Sequence, residues 1–305
     1  MKNIRVHIAV IVAALVVVVT VASFAAHSSR GQSPNPKNKS LVKPTVLITT
    51  RSSAGANASS LFAAAAGRNA ILRNELSWTF GGKQQHGWYL YDLLIGQTLN
   101  TQNDSVPGDF AATLAAWQKN LRLNPDGVLD EDSLMTMVSK WQSNRLKNHT
   151  YADPNELVTA PSSDFYDPER AAELRQVERN TYAAYKQMIA AAIADPKLNL
   201  GHTASGELAS TEKYFKIVSA FRSHEYQEQL RRQSPNAGSA GLAVNSPHFT
   251  GRALDLYVGG DPVDTKDSNR AIQVTTPAYQ WLVRNAERFG FRPYFYEPWH
   301  WEYVK

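Results

Sequence analysis

The chain has 305 residues, 43% hydrophobic and 10% aromatic, enough to bury a sizeable core and too many for wholesale disorder. It contains no cysteine, which excludes a disulfide framework, thiolate metal sites and a cysteine nucleophile; any metal must be held by His and carboxylates. Lys+Arg 32 against Asp+Glu 27 gives a net charge of +5, a dilute excess that suits an anionic surface such as a cell wall. With no block of like charges and no basic-aromatic stripe, it makes no case for nucleic acid.

After Lys2 and Arg5, residues 8–26 carry no charge. At ~1.5 Å per residue this run just spans a ~30 Å hydrocarbon layer. Residues 1–27 therefore read as a membrane anchor or, with Ser23 and Ala25 at cleavage positions, as a signal peptide. Arg30, Lys37, Lys39 and Lys43 follow it and work against a simple positive-inside orientation. Either way the remainder is expected outside the cytoplasm, anchored by this segment or secreted after cleavage. Residues 28–70, largely Ser, Pro, Asn, Lys and Ala, read as a flexible linker in which 44–49 has strand propensity.

Residues 71–150 read as a small three-helix domain. Tyr89, Leu90, Leu93, Leu94 and Gln97 define the first helical pattern, Phe110, Leu114 and Trp117 the second, Leu134, Val138 and Trp141 the third. Asp109 and Asp132 or Ser133 stand at N-cap positions, and Pro125-Asp126-Gly127 marks a turn. Trp117-Gln118, Leu121, Asp126-Gly127 and Ser133 fill the places of a motif that resembles the three-helix peptidoglycan-binding modules. That resemblance implies wall binding without naming a binding residue, and a helical spacer would show the same periodicity.

In the last segment, 151–305, folded structure is expected to begin near Asp167-Pro168-Glu169, which offers an N-cap, a proline at N1 and an acidic first turn. Leu174, Val177, Thr181, Ala184 or Tyr185, and Met188 share one face, predicting a long helix that ends at Asp195-Pro196. A short strand over 215–218 and a helix over 224–232 follow, then a buried strand over 253–258 with Asp255 alternating with Leu254 and Leu256. An aspartate inside an apolar strand needs a partner. On a continuous helix His248 would lie ~10 Å from Asp255 along the axis, and Gly251 lets the chain bend between them. Near the C-terminus Glu297 and His300 stand three apart around Pro298, in an aromatic run that reads as strand and turn; Trp299 and Trp301 read as packing walls or substrate contacts.

Two imidazoles, one carboxylate, an open fourth position and a carboxylate beside it form a coherent metallohydrolase inventory. Ser246-x-His248-x-x-Gly251-x-Ala253-x-Asp255, followed by Glu297-x-Trp299-His300, resembles the zinc D-alanyl-D-alanine carboxypeptidases of the VanY type, and Ser219-Ala-Phe-Arg-Ser-His-Glu-Tyr-Gln227 matches a further stretch of theirs. The resemblance implies an α+β fold of the hedgehog/DD-peptidase type, a small antiparallel sheet flanked by helices. It also implies Zn2+ held by His248, Asp255 and His300, although these donors do not exclude other divalent ions. Glu297 is implied as general base and acid, Arg222 as a counter-charge to the oxyanion or the substrate's carboxylate, and Ser246 and Gln227 as substrate contacts. His224 and Glu228 do not complete an H-E-x-x-H motif and read as a solvated helix face.

The implied activity is hydrolysis of peptidoglycan stem peptides with release of terminal D-alanine. The alternatives are an endopeptidase or L,D-carboxypeptidase on the same site, or a non-catalytic wall-binding protein with structural zinc; Glu297 argues against the last. A serine enzyme of the penicillin-binding type fails, because Ser40-x-x-Lys43 stands in the linker and no K-T-G exists. Expected partners are the cell wall and, through residues 8–26, the membrane; the oligomeric state is left open.

Overall fold

In the computed structural model, which describes residues 62–101, 107–235 and 242–305, the first element is a helix, α1 (Ala63–Glu75). It starts inside the stretch that composition reads as linker. The reason is its alanine run, the best helix former, whose Ala65, Asn69 and Leu72 are buried. The expected membrane segment, the strand at 44–49 and the S-x-x-K lie outside the described residues. Among the described residues no helix is long and apolar enough to cross a membrane.

A hairpin not anticipated from periodicity follows, β1 (Ser77–Phe80) with β2 (Lys83–His86). The three expected helices are α2 (Asp92–Leu99, entered through a 3-10 turn at Tyr89–Tyr91), α3 (Pro107–Asn120) and α4 (Glu131–Ser143). Two cap assignments are corrected. Asp109 sits in the first turn of α3, and Asp130 rather than Asp132 or Ser133 caps α4, its Oδ1 accepting from Ser133 N at 2.9 Å. The Gln118, Gly127 and Ser133 of the short motif form a buried hydrogen-bond set. Gln118 Nε2 donates to Val128 O and Ser133 Oγ, both at 2.9 Å, while Gly127 N donates to Gln118 Oε1. Gly127 is required there: its φ is +75° and a Cβ would stand 2.5 Å from Ala111 O.

The long helix expected from Asp167 is shorter. Residues 176–178 instead form β4 (Gln176–Glu178), paired with β3 (Leu157–Thr159), and α5 is Arg179–Ile193. Glu178 decides the boundary, because its carboxylate accepts from Asn180 N at 2.9 Å and from Thr181 N at 2.8 Å, so it caps the helix in place of Asp167. Leu174 and Val177 consequently lie outside the helix, while Thr181, Ala184, Tyr185 and Met188 form its buried face.

A four-stranded antiparallel sheet carries the rest, in the order β5 (Ile217–Ser219), β6 (Ala253–Leu256), β8 (Glu297–Tyr303), β7 (Phe291–Tyr294). Helix α6 (His224–Gln233) follows β5, as expected, with Ser223 as its cap. Two helices between β6 and β7, α7 (Asp267–Thr275) and α8 (Pro277–Asn285), were not anticipated, although α8 buries an apolar face of Ala278, Tyr279, Trp281 and Leu282 that periodicity could have announced. In α7 the buried residues are polar, Asn269, Arg270 and Gln273, so the apolar stripe is missing.

The fold is thus α+β, and its helical and sheet regions share one core. Phe295, at the tip of the β7–β8 turn, stands 4.7 Å from Phe80, 5.4 Å from Tyr91 and 5.9 Å from Trp141. Beneath it the buried Arg270 donates to Tyr91 Oη and Tyr296 O, both at 3.2 Å. The aromatic socket therefore grips the turn that leads directly into Glu297.

Candidate metal centre

Antiparallel pairing sets Asp255 opposite His300 across β6 and β8. His248 arrives from the 3-10 turn Pro247–Thr250, which ends at Gly251 with φ +67°. A Cβ at Gly251 would lie 2.9 Å from Glu178 N, so both the bend and the close approach of β4 demand glycine. This is the bend expected between His248 and Asp255. In a regular strand, residues 297 and 300 would face opposite sides. The register of β8 shifts against β7, pairing Trp301 with Pro293 and Glu297 with Tyr294, so Glu297 Oε2 comes to 3.9 Å from His300 Nδ1.

His300 Nδ1 lies 2.9 Å from Asp255 Oδ1 and 3.2 Å from His248 Nε2, and His248 Nε2 lies 3.3 Å from Asp255 Oδ1. Among the described residues these three form the one group with donor atoms within 4.8 Å of one another, and all three are buried. The outer ring nitrogens are committed elsewhere. His248 Nδ1 donates to Ala220 O at 2.6 Å, and His300 Nε2 to Glu302 Oε1 at 3.1 Å. Carbonyls and carboxylates only accept, so each inner nitrogen is the one left to offer a lone pair. Two nitrogens and one oxygen, oriented from behind, fit a divalent ion of the zinc type.

A cavity of about 680 Å³ opens over the group, its wall including Arg222, Ser246, His248, Asp255, Glu297 and His300. Trp299 also lines it, whereas Trp301 packs in the core against Tyr279. Arg222 Nη2 donates to Asp255 Oδ2 at 2.5 Å, Nε to Ser219 Oγ at 3.0 Å and Nη1 to Gln227 Oε1 at 3.3 Å. Gln227 stands behind Arg222 with its Nε2 on Ala243 O, so both ends of its amide are occupied within the protein. Ser246 Oγ caps the His248 turn while lining the cavity. His224 is exposed and stacks on Tyr151 at 4.8 Å, and Glu228 pairs with Arg231 on the solvent side.

Burial raises the Glu297 carboxyl from 4.5 to about 8, reinforced by the Asp255 charge and opposed by His300 and Arg222. Burial and the Arg222 charge lower His248 to about 4, so its imidazole is neutral. For His300 burial acts downward, but hydrogen bonds to Asp255 and Glu302 raise it to about 9 in the metal-free protein. Burial likewise opposes the Asp255 charge, and His248 and Arg222 more than offset it, holding that carboxyl well below the usual range.

Residues 174–305 match the family model for VanY, D-alanyl-D-alanine carboxypeptidase. This part of the chain carries a VanY domain, which supports a peptidase of the D-alanyl-D-alanine carboxypeptidase type. No curated protein matches the chain. His248, Asp255, Glu297 and His300 all fall inside the match. Glu302 and Arg145 were missed in the sequence. Glu302 had a signal, since alternation along β8 puts position 302 on the His300 side; Arg145 had none.

Proposed function

We propose that the protein is a zinc-dependent peptidase that releases terminal D-alanine from peptidoglycan stem peptides. One observation carries the reading: the buried carboxyl of Glu297 shares the cavity with three convergent metal-type donors and lies 3.9 Å from one of them. A structural site needs no such group. His248, Asp255 and His300 would hold the ion, which when bound supplies a Lewis acid to polarise the scissile carbonyl.

Glu297 takes a proton from the attacking water as the new C–O bond forms. It then delivers that proton to the D-alanine nitrogen as the C–N bond breaks. Arg222 keeps the Asp255 carboxylate ionised and presents its remaining N–H donors to a substrate oxygen at the cavity wall. Ser246 holds the His248 turn, leaving its hydroxyl hydrogen for substrate.

With such a substrate the protein would work on the wall side of a membrane, held there by residues 8–26 or released after cleavage. Its partners would be the wall and the membrane rather than nucleic acid. A cavity of about 680 Å³ is larger than one D-alanine needs, which favours as a second reading an endopeptidase cutting within the stem or cross-bridge. The test is to incubate the full chain with a pentapeptide ending in D-Ala-D-Ala and follow free D-alanine by mass, with and without chelator. Chelator-sensitive release of one D-alanine is expected. Metal bound without release, but with cleavage of intact sacculi, would replace the first reading by the second.

A further inference from the structure

The carboxylate behind His300 is not self-supporting. Glu302 lies two residues beyond His300 on β8 and is fully buried. A buried carboxylate has to be hydrogen-bonded on both oxygens. Besides His300, its Oε1 accepts from Arg145 Nε at 3.1 Å and Arg145 Nη2 at 2.5 Å, and its Oε2 accepts from Leu146 N at 2.9 Å. Among the described residues, every other donor to Glu302 thus comes from residues 145 and 146, just beyond α4 and outside the stretch that matches the family model.

Arg145 is itself held on two sides. Its Nη1 donates to Gln142 Oε1 at 3.1 Å on α4, and its guanidinium lies 3.8 Å over the Tyr294 ring at the end of β7. The same connector runs on along the cavity wall, where His149 bridges Asn245 O at 2.9 Å and Leu146 O at 3.0 Å, beside Ser246. From the helical region to the metal donors there is an unbroken chain of contacts: Gln142, Arg145, Glu302, His300.

We propose that Arg145 is a positioning residue for the metal centre, fixing the ring of His300 through Glu302, so that metal affinity depends on the helical region. This rests on the reading of His248, Asp255 and His300 as metal ligands. A carboxylate whose Oε1 is gripped by two N–H groups of one guanidinium and whose Oε2 is held by a main-chain N–H has one orientation, and that orientation directs Nε2–H of His300 outward and Nδ1 inward. Without the fork, Glu302 keeps only a backbone donor and its ligand, and His300 loses the constraint on its ring. Lysine would restore the charge but not the fork or the stacking on Tyr294.

The experiment is a chelator-competition titration of Zn2+ against the full chain and its Arg145→Ala, Arg145→Lys and Glu302→Gln variants. Disruption of such outer partners costs roughly 10–100-fold in metal affinity. That loss is expected for Arg145→Ala and Glu302→Gln, with an intermediate loss for Arg145→Lys and no further loss when Arg145→Ala and Glu302→Gln are combined. A purely structural role would change the unfolding midpoint and leave the dissociation constant of the folded protein within about twofold of wild type, and that result overturns the inference. Should the alanine variant not fold, Arg145→Lys decides by the same criterion. A readout on wild type stands apart from all variants: ring 15N shifts of His300 in the Zn2+-loaded protein, where protonated Nε2 is expected and protonated Nδ1 contradicts the proposal. A wild-type chain that binds no Zn2+ would instead remove the metal-centre reading itself.

Discussion

The helical region before residue 150 and the sheet region after it contribute different kinds of atom to the same site. The sheet region supplies the groups that face the cavity: His248, Asp255 and His300 as donors, Glu297 as the proton carrier, Arg222 as the cation. Among the described residues the helical region supplies no metal donor, although its Arg145 and His149 reach the cavity wall. It supplies the socket around Phe295 and the fork on Glu302, the two fixtures at either end of the metal-bearing strand β8. The two imidazoles show the same division in miniature. His248 leans on a main-chain carbonyl of its own sheet region, Ala220 O, whereas His300 leans on a carboxylate anchored from the other one. Chemistry and rigidity are therefore carried by separate stretches of sequence, and a site defined by its reacting groups alone would omit half of what holds it.

The largest effect expected from breaking this division is at His248. In His248→Ala an inner donor is gone with no replacement, so elemental analysis should find the metal lost and turnover should fall to background. On the other side of the comparison, Phe295→Ala opens the socket rather than the site. Truncating a buried phenylalanine costs about 3–5 kcal/mol, and because the socket joins both regions the loss should appear in one cooperative transition. Coincident unfolding curves from far-ultraviolet circular dichroism and tryptophan fluorescence would agree with this. Two separated transitions would show the regions to be independent.

The reacting groups were legible because chemistry restricts their identity: Ser-x-His, Gly251, Asp255 and Glu-x-Trp-His can be seen at fixed spacings without knowing what packs against them. The bend at Gly251 and the alternation at Asp255 both appear in the structure as the spacing implied. What stayed hidden depended on partners far away in sequence. Helix α7 buries Asn269, Arg270 and Gln273, which no apolar stripe announces. The start of α5 was misplaced because β3 captures residues 176–178 and Glu178 then outcompetes Asp167 as the cap. Arg145 looks like any surface cation until Glu302, 157 positions on, is seen beneath it.

A smaller effect sharpens the contrast between a group placed for stability and one placed for proton transfer. Glu297 has a folded-state pKa of about 8 against an ordinary 4.5, so the folded, metal-free protein binds this proton more tightly than the unfolded chain does. The stabilisation that results is complete below pH 4.5 and is lost as the pH rises towards 8. At pH 7 the loss is on the order of 3 kcal/mol. Neutral Gln at this position escapes it, so metal-free Glu297→Gln should be more stable than wild type at pH 7 and equal to it near pH 4. Parallel stability profiles across that range would contradict the burial argument.

The most direct test of the metal centre as a catalytic one uses the same variant with the metal present. Glu297→Gln and wild type are loaded with Zn2+, their metal content is determined, and D-alanine release from a pentapeptide ending in D-Ala-D-Ala is timed for both. The expected result is equal metal content with turnover lowered about 10²–10⁴-fold in the variant. Equal metal content with equal turnover would show that Glu297 carries no proton in the reaction and that the assignment of the site is wrong.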